Sequence, residues 1–415
     1  MMKKPELLIP AGSLQVLKEA VRYGADAVYI GGEAFSLREN AKNASIPELS
    51  EGVRFAHERG VRVYITANIL AHNSDIREAE AYFTELREVR PDALLISDPG
   101  MFMLAKKILP ETELHISTQA NNVNYETCNF WYGLGAKRIV LGRELSLSEI
   151  REIREKVPEE LELECFVHGA MCISYSGRCL LSNFLTGRDA NRGACTHPCR
   201  WKYSLVEETR PGEYFPVEEN DRGTFIFNSK DLCMIEHIPE LIGAGIDSLK
   251  IEGRMKTALY VAAAARTYRR AIDDWFESPE KYRENLGWYR EEIGKCTFRE
   301  YTTGFYFGKP GPDAQIYEDS SYVRNSVYLG TAGKTDGQGM TELVQKNKFG
   351  RGDRIEIMKP SGENTETEVL EIRNEQGEEL EFASHAAEKL RVRFSVQPEE
   401  YDILRVDAKL SHKKD

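Results

Sequence analysis

The stretch Glu19-Ala-Val-Arg-Tyr-Gly24-Ala-Asp-Ala-Val-Tyr-Ile30 closes a helical pattern, sets down a glycine and opens an apolar run. The same order returns in Phe55-Ala-His-Glu-Arg-Gly60-Val-Arg-Val-Tyr-Ile65, in Trp131-Tyr-Gly-Leu-Gly135-Ala-Lys-Arg-Ile-Val-Leu141 and in Leu241-Ile-Gly-Ala-Gly245-Ile-Asp-Ser-Leu-Lys-Ile251. A glycine just past a helix takes the left-handed conformation that ends the last turn. A short run without polar alternation is a strand covered on both faces. Eight such runs occur: Leu7–Ile9, Ala27–Ile30, Val61–Thr66, Ala93–Ser97, Leu114–Ser117, Arg138–Leu141, Leu161–Val167 and Ser248–Ile251. Between them Leu14, Leu17 and Val21 share one helix face, as do Leu49, Val53 and Ala56. Strands alternating with helices pair in parallel, and eight units in roughly 250 residues are what closes a barrel. The expected fold is α/β, a (β/α)8 TIM-like barrel. An open doubly wound sheet is the alternative, disfavoured because no Gly-x-Gly-x-x-Gly follows the first run.

The spacing breaks once. Between runs seven and eight lies a cysteine-rich insertion, 168–246, at the strand ends where barrel enzymes place their chemistry. After the helical stretch Thr257–Asp273 the character changes near residue 315. Val327-Tyr-Leu-Gly330, Arg354-Ile-Glu-Ile-Met358, Glu368-Val-Leu-Glu-Ile372 and Val392-Arg-Phe-Ser-Val396 alternate, with turn signals such as Lys359-Pro-Ser-Gly362 between them. A small antiparallel β-barrel domain is expected over 315–410, after a barrel domain over 1–314.

No apolar run approaches the roughly 20 residues of a spanning helix, and Met-Met-Lys-Lys-Pro-Glu leads into no apolar region; a cytoplasmic protein is expected. The net charge of −12 gives no global attraction for nucleic acid, so RNA contact would need local basic patches. One candidate is Arg178, Arg188, Arg192, Arg200 and Lys202. The other is Lys250, Arg254, Lys256, Arg266, Arg269 and Arg270, for which paired helix-face charge is the plain alternative.

Cys128 and Cys296 stand alone, whereas Cys165, Cys172, Cys179, Cys195, Cys199 and Cys233 crowd the seventh run and the insertion. In a reducing compartment such crowding favours a metal or redox site over disulfides. Two short Cys-x-x-Cys knuckles would suggest zinc; six residues between Cys172 and Cys179, and fifteen before Cys195, suit a larger cluster held by a loop. Cys165, inside the strand, reads as core. Spacing leaves open which four of Cys172, Cys179, Cys195, Cys199 and Cys233 would be ligands.

The segment Glu164-Cys-Phe-Val-His168-Gly-Ala-Met-Cys172 through Ser182 resembles the signature of the collagenase-like peptidase family, unassigned peptidase family U32. Glu6-Leu-Leu-Ile-Pro-Ala-Gly12, Asp26-Ala-Val-Tyr-Ile-Gly-Gly32, Lys250-Ile-Glu-Gly-Arg254 and the β-rich C-terminal domain are similar to it too, so the resemblance spans nearly the whole chain. It implies an iron–sulfur cluster, 4Fe-4S, on Cys172, Cys179, Cys195 and Cys233, with Cys199 spare. By length, C-terminal domain and the run Leu185–Tyr203, the chain is most similar to members that hydroxylate tRNA. The resemblance therefore implies 5-hydroxyuridine formation at the anticodon wobble position, with prephenate as cosubstrate, tRNA as partner and a paired family member as a further possible subunit. Collagenase-like peptidase activity and a non-enzymatic iron–sulfur partner subunit are the competing readings. The sequence offers no His-Glu-x-x-His and no Gly-x-Ser-x-Gly for the first of these.

Prephenate is a dianion and needs cations. Arg143, after the sixth run, and Lys250 and Arg254, around the end of the eighth, are expected at the barrel mouth as substrate-binding groups. Glu252 and His168 are the candidates for proton transfer there, and His115, Gln119 and Asn68 are further lining candidates. The structural alternatives are an Arg254–Glu252 pair and a His168 that bonds backbone. On the C-terminal domain, Lys346, Lys348, Arg351 and Arg354 are candidate contacts for the anticodon arm.

Overall fold

A computed structural model describes residues 3–37, 43–172, 174, 179–201, 204–206, 214–216, 230–310 and 323–411, with backbone alone for Arg200, 204–206 and 214–216. The 314/315 domain boundary and the side chains of Arg178, Arg200 and Lys202 lie outside the described residues.

The barrel strands are β1 (Glu6–Ala11), β2 (Ala27–Gly31), β3 (Arg62–Ala67), β4 (Ala93–Ile96), β5 (Glu113–Ile116), β6 (Arg138–Val140), β7 (Glu162–Ala170) and, after the insertion, β9 (Ser248–Ile251). Each pairs in parallel with the next, and β9 pairs with both β7 and β1, so the sheet closes. The eight apolar runs of the sequence are these eight strands. The repeating glycines do what the repeat implies: Gly24, Gly60, Gly135 and Gly245 all stand at positive φ, between 72° and 105°. Where the fourth unit lacks a glycine, Arg90 takes that conformation itself, at φ 56°. The aspartate that follows has a second task. Asp26, Asp92 and Asp247 accept the backbone N–H of Leu7, Val63 and Leu163 at 2.7–3.0 Å, tying each turn to the start of the neighbouring strand.

β7 runs past the barrel rim, and a short strand from the insertion, β8 (Asp231–Cys233), pairs antiparallel with this overhang, Cys233 opposite His168. The helix Ile238–Gly243 then completes the crossover into β9.

The C-terminal domain is the expected antiparallel barrel. Its strands are β10 (Ser326–Thr335), β11 (Thr341–Val344), β12 (Arg354–Met358), β13 (Thr365–Asn374), β14 (Lys389–Phe394) and β15 (Ile403–Asp407). They run β12-β15-β10-β11-β14-β13 and close by β13 on β12, around Leu329, Leu343, Ile357, Val369, Val392 and Leu404.

This domain is docked on the barrel by buried polar contacts. Arg405 makes a two-pronged bond to Glu292, at 2.8 and 2.9 Å, and Glu292 also takes Arg266 at 3.0 Å. The Tyr23 hydroxyl donates to Met358 O and accepts from Ile403 N. Part of the second basic patch is thereby accounted for: Arg266 belongs to the interface, while Arg269 pairs with Asp26 and Asp273, and Arg270 with Asp274.

Glu19 lies fully buried at this interface. Its Oε1 accepts from the Thr331 hydroxyl at 2.6 Å and from Gln15 Nε2 at 3.1 Å, while Oε2 has no partner among the described residues. Burial raises its pKa to about 7, against smaller opposing effects of Thr331, Gln15 and Lys346. The folded chain therefore binds this proton where the unfolded chain does not, and stability falls as pH rises from about 4.5 to 7. Glu19→Gln keeps the acceptor oxygen and discards the charge. It is expected to raise the unfolding free energy at pH 8 by about 1–3 kcal/mol and to change little at pH 4.5, measured by urea denaturation at both pH values.

Candidate active site

Inward-facing residues of the barrel strands build the site from the floor up. In most barrels of this class these layers are branched apolar side chains. Here the floor is ionic. Arg138 on β6, 1% exposed, donates to Glu6 on β1 at 2.5 Å, to Glu164 on β7 at 3.0 Å and to Glu162 at 2.6 Å. The Tyr64 hydroxyl and Arg62 also reach Glu6. Burial alone would raise the Glu6 carboxyl, but Arg138, Arg62 and Tyr64 bring it to about 2. Glu164, fully buried, is likewise held below the usual carboxylate range by Lys250 and Arg138 against its burial. Nothing in the apolar strand runs announces this network.

Above it opens a pocket at the C-terminal strand ends, lined by Tyr29, Thr66, Asn68, Gln119, Phe166 and Glu252 together with Arg143, Lys250 and Arg254. All three cations expected at the mouth are thus in one pocket, in different states. Lys250 is 3% exposed, donates to Glu164 Oε1 at 2.7 Å and lies over the Tyr29 ring at 4.5 Å; burial lowers its pKa while Glu164 opposes that. The guanidinium of Arg254 donates to Ser36 Oγ, Leu37 O, Thr66 Oγ1 and Asn43 Oδ1 at 2.7–3.1 Å, pinning the segment after β2 against the mouth. Arg143 is half-buried. One nitrogen donates to Ala170 O at 2.7 Å, and the guanidinium lies 5.0 Å from the Phe166 ring.

Asn68 and Gln119 line the pocket as expected, whereas His115 does not reach it. It is wholly buried one layer down, its Nε2 3.2 Å from Glu113, its ring edge-on to Tyr64 at 4.8 Å. His168 also departs from its expected place at the mouth. β7 bulges against β9 between Phe166 and His168, and the slip turns His168 to the other face. It lies buried among the rings of Tyr260, Tyr268 and Tyr301, with centroids 5.5–5.7 Å away. Burial, helped by Lys256, pushes its pKa down to about 3, so the imidazole is neutral. Glu252 takes its backbone N–H to His168 O and accepts the Tyr260 hydroxyl on its own carbonyl.

Cys172, two residues beyond β7, is exposed; Cys179, Cys195, Cys199 and Cys233 are half-buried; Cys128, Cys165 and Cys296 are buried core. Cys195 Sγ accepts the His197 backbone N–H at 3.4 Å, the kind of bond that sits well on a ligating sulfur. Among the described residues no three His, Cys, Asp or Glu side chains stand close enough to hold one metal ion. The donor set nonetheless fits a cluster in kind: several soft thiols at the catalytic face. Beside Cys233 both ring nitrogens of buried His168 lack a hydrogen-bond partner among the described residues, an opening that a bound group would satisfy.

The positions of known relatives can be set against this geometry. The model of peptidase family U32 matches residues 12–316, and that of the peptidase family U32 C-terminal domain matches 324–405. The tRNA hydroxylation protein P1 of Bacillus subtilis is 43% identical over 384 residues, 92% of this chain and 90% of that protein. The tRNA hydroxylation protein P of Escherichia coli is 38% identical over 423 residues, 92% of each. A 23S rRNA 5-hydroxycytidine synthase of Escherichia coli is 38% identical over 268 residues, 65% of this chain but 39% of that protein.

Proposed function

The chain belongs to peptidase family U32, and on that premise we propose that it hydroxylates RNA, with a tRNA uridine as the target and 5-hydroxyuridine as the product. The observation that carries the reading is the mouth pocket, where Arg143, Lys250 and Arg254 converge beside the cysteine-bearing insertion. The three cations suit the charge of a small organic dianion, and prephenate is the cosubstrate proposed for them. Similarity to proteins named for tRNA hydroxylation runs nearly end to end, whereas the ribosomal RNA enzyme shares only part of its length; this favours tRNA.

The residues divide the work. Arg143 is placed to hold a carboxylate of the cosubstrate. Lys250 is an ammonium donor held in place by Glu164, and Arg254 pins the segment after β2 against the pocket. Glu252 lines the same pocket and is the carboxylate proposed for proton transfer. An iron–sulfur cluster on Cys172, Cys179, Cys195 and Cys233 would supply electron-transfer or Lewis-acid chemistry at this face.

Deleting the gene is expected to abolish 5-hydroxyuridine and nucleosides derived from it in total tRNA, read by mass spectrometry. Unchanged levels in a host with no second copy reject the reading. A colourless, zinc-loaded protein after anaerobic purification rejects the cluster alone.

A further inference from the structure

A second cleft lies on the same face as the mouth, between the barrel and the C-terminal domain. It encloses about 510 Å³, and Lys256, Arg324 and Lys346 stand on its walls with Ser13, Thr257 and Asn347. Among its described lining residues none is acidic, in a chain whose acids outnumber its bases 67 to 55. Arg324 and Lys346 are exposed and form no ion pair among the described residues, unlike the arginines of the long helix, although Lys346 also acts at longer range on buried Glu19. The two walls come from different domains, so the charge is built by docking them and not by one helix face.

Two helix starts add to the same sign of potential. Ser13 caps Leu14–Arg22 and Thr257 caps Ala258–Glu277, each by accepting a backbone N–H. They stand side by side because Gly12 packs directly on the carbonyl of Arg254: a Cβ on Gly12 would lie 2.1 Å from that oxygen. Arg254 sends its side chain into the mouth pocket, and Lys256, two residues on, lines the cleft. A single turn of backbone therefore separates the two.

We propose that this cleft holds the ribose–phosphate backbone of the RNA strand whose base enters the mouth. The assignment rests on the RNA reading above and adds where the strand runs. Phosphodiesters need cations and N–H donors without competing carboxylates, and an open cleft shared by two domains accepts a continuing chain.

The test uses the full-length protein carrying Arg324→Glu and Lys346→Glu, with glutamine at both positions as a second variant. Both side chains are exposed, so the fold should hold; because Lys346 also acts on buried Glu19, the thermal midpoint of each variant is read alongside, and the glutamine variant adds no new charge there. tRNA binding is measured by fluorescence anisotropy across a potassium chloride series. The charge-reversed protein is expected to bind about tenfold more weakly, with a log–log salt slope shallower by about 1–2. Hydroxylation should show a raised KM for tRNA and an unchanged KM for the organic acid. A variant that matches the wild type in affinity and slope overturns the proposal and leaves the RNA reading standing. A wild type that binds no tRNA overturns both. If inorganic pyrophosphate stabilises the wild type to heat while the substitutions leave tRNA affinity intact, the cleft is a small-anion site and the RNA assignment fails.

Discussion

Replacing Arg138 by methionine is expected to remove about 3–5 kcal/mol of unfolding free energy. The side chain is 1% exposed and gathers Glu6, Glu162 and Glu164 from β1 and β7 around one guanidinium. Methionine fills much of the volume but leaves three carboxylates facing one another. Glu164 would keep Lys250, and Glu6 would keep Arg62 and Tyr64; neither regains what the shared cation supplies. The stranded carboxyls should then take up protons more readily, so the deficit should shrink as pH falls from 7 towards 5. Urea denaturation at several pH values, with circular dichroism as the readout, measures both effects. A midpoint unchanged at pH 7 would show that charge compensation does not hold the barrel lumen together.

The same network marks the limit of what the residue order reveals. The helix–glycine–strand repeat made the barrel legible because backbone geometry demands it: a left-handed residue is needed after each helix, and Gly24, Gly60, Gly135 and Gly245 supply it. The polar floor was hidden for a physical reason. A barrel strand is covered on both faces, so its pattern carries no polar–apolar contrast to show which residues point inward. Arg138 therefore reads as the start of a run and Glu164 as one residue within another, with nothing to show that both point into the lumen and are wholly buried.

His168 was misplaced by one residue of register. The bulge on β7 exchanges faces, as any single-residue slip must, and carries the imidazole from the mouth to the tyrosines of the long helix. A signal was present in the next residue: Gly169 stands at φ 109°, and a Cβ there would lie 2.6 Å from Glu252 O. The cysteines show the opposite balance. Their clustering was plain, but the choice of four among five came from family resemblance, because Cys172, Cys195 and Cys233 lie on segments far apart in the chain and spacing alone does not say which thiols share a ligand.

Arg143→Met is expected to lower kcat/KM for the organic acid about 10–100-fold while leaving tRNA affinity unchanged, the result expected when a charge-assisted contact to substrate is lost. The three pocket cations are not equivalent, and their partners say why. Lys250 is committed to Glu164, so its loss should appear first as instability. The Arg254 guanidinium bonds to Ser36, Leu37, Thr66 and Asn43, so its removal should loosen the segment after β2 and disturb both substrates together. Arg143 gives one nitrogen to Ala170 O and is otherwise half-buried against Phe166, a planar donor set facing the pocket from the end of β6. Its lysine variant should recover part of the loss, since charge returns without the forked geometry. Titrating prephenate against purified variants and counting 5-hydroxyuridine in tRNA separates these cases. If the methionine variant shows the wild-type dependence on prephenate, Arg143 does not hold the proposed cosubstrate.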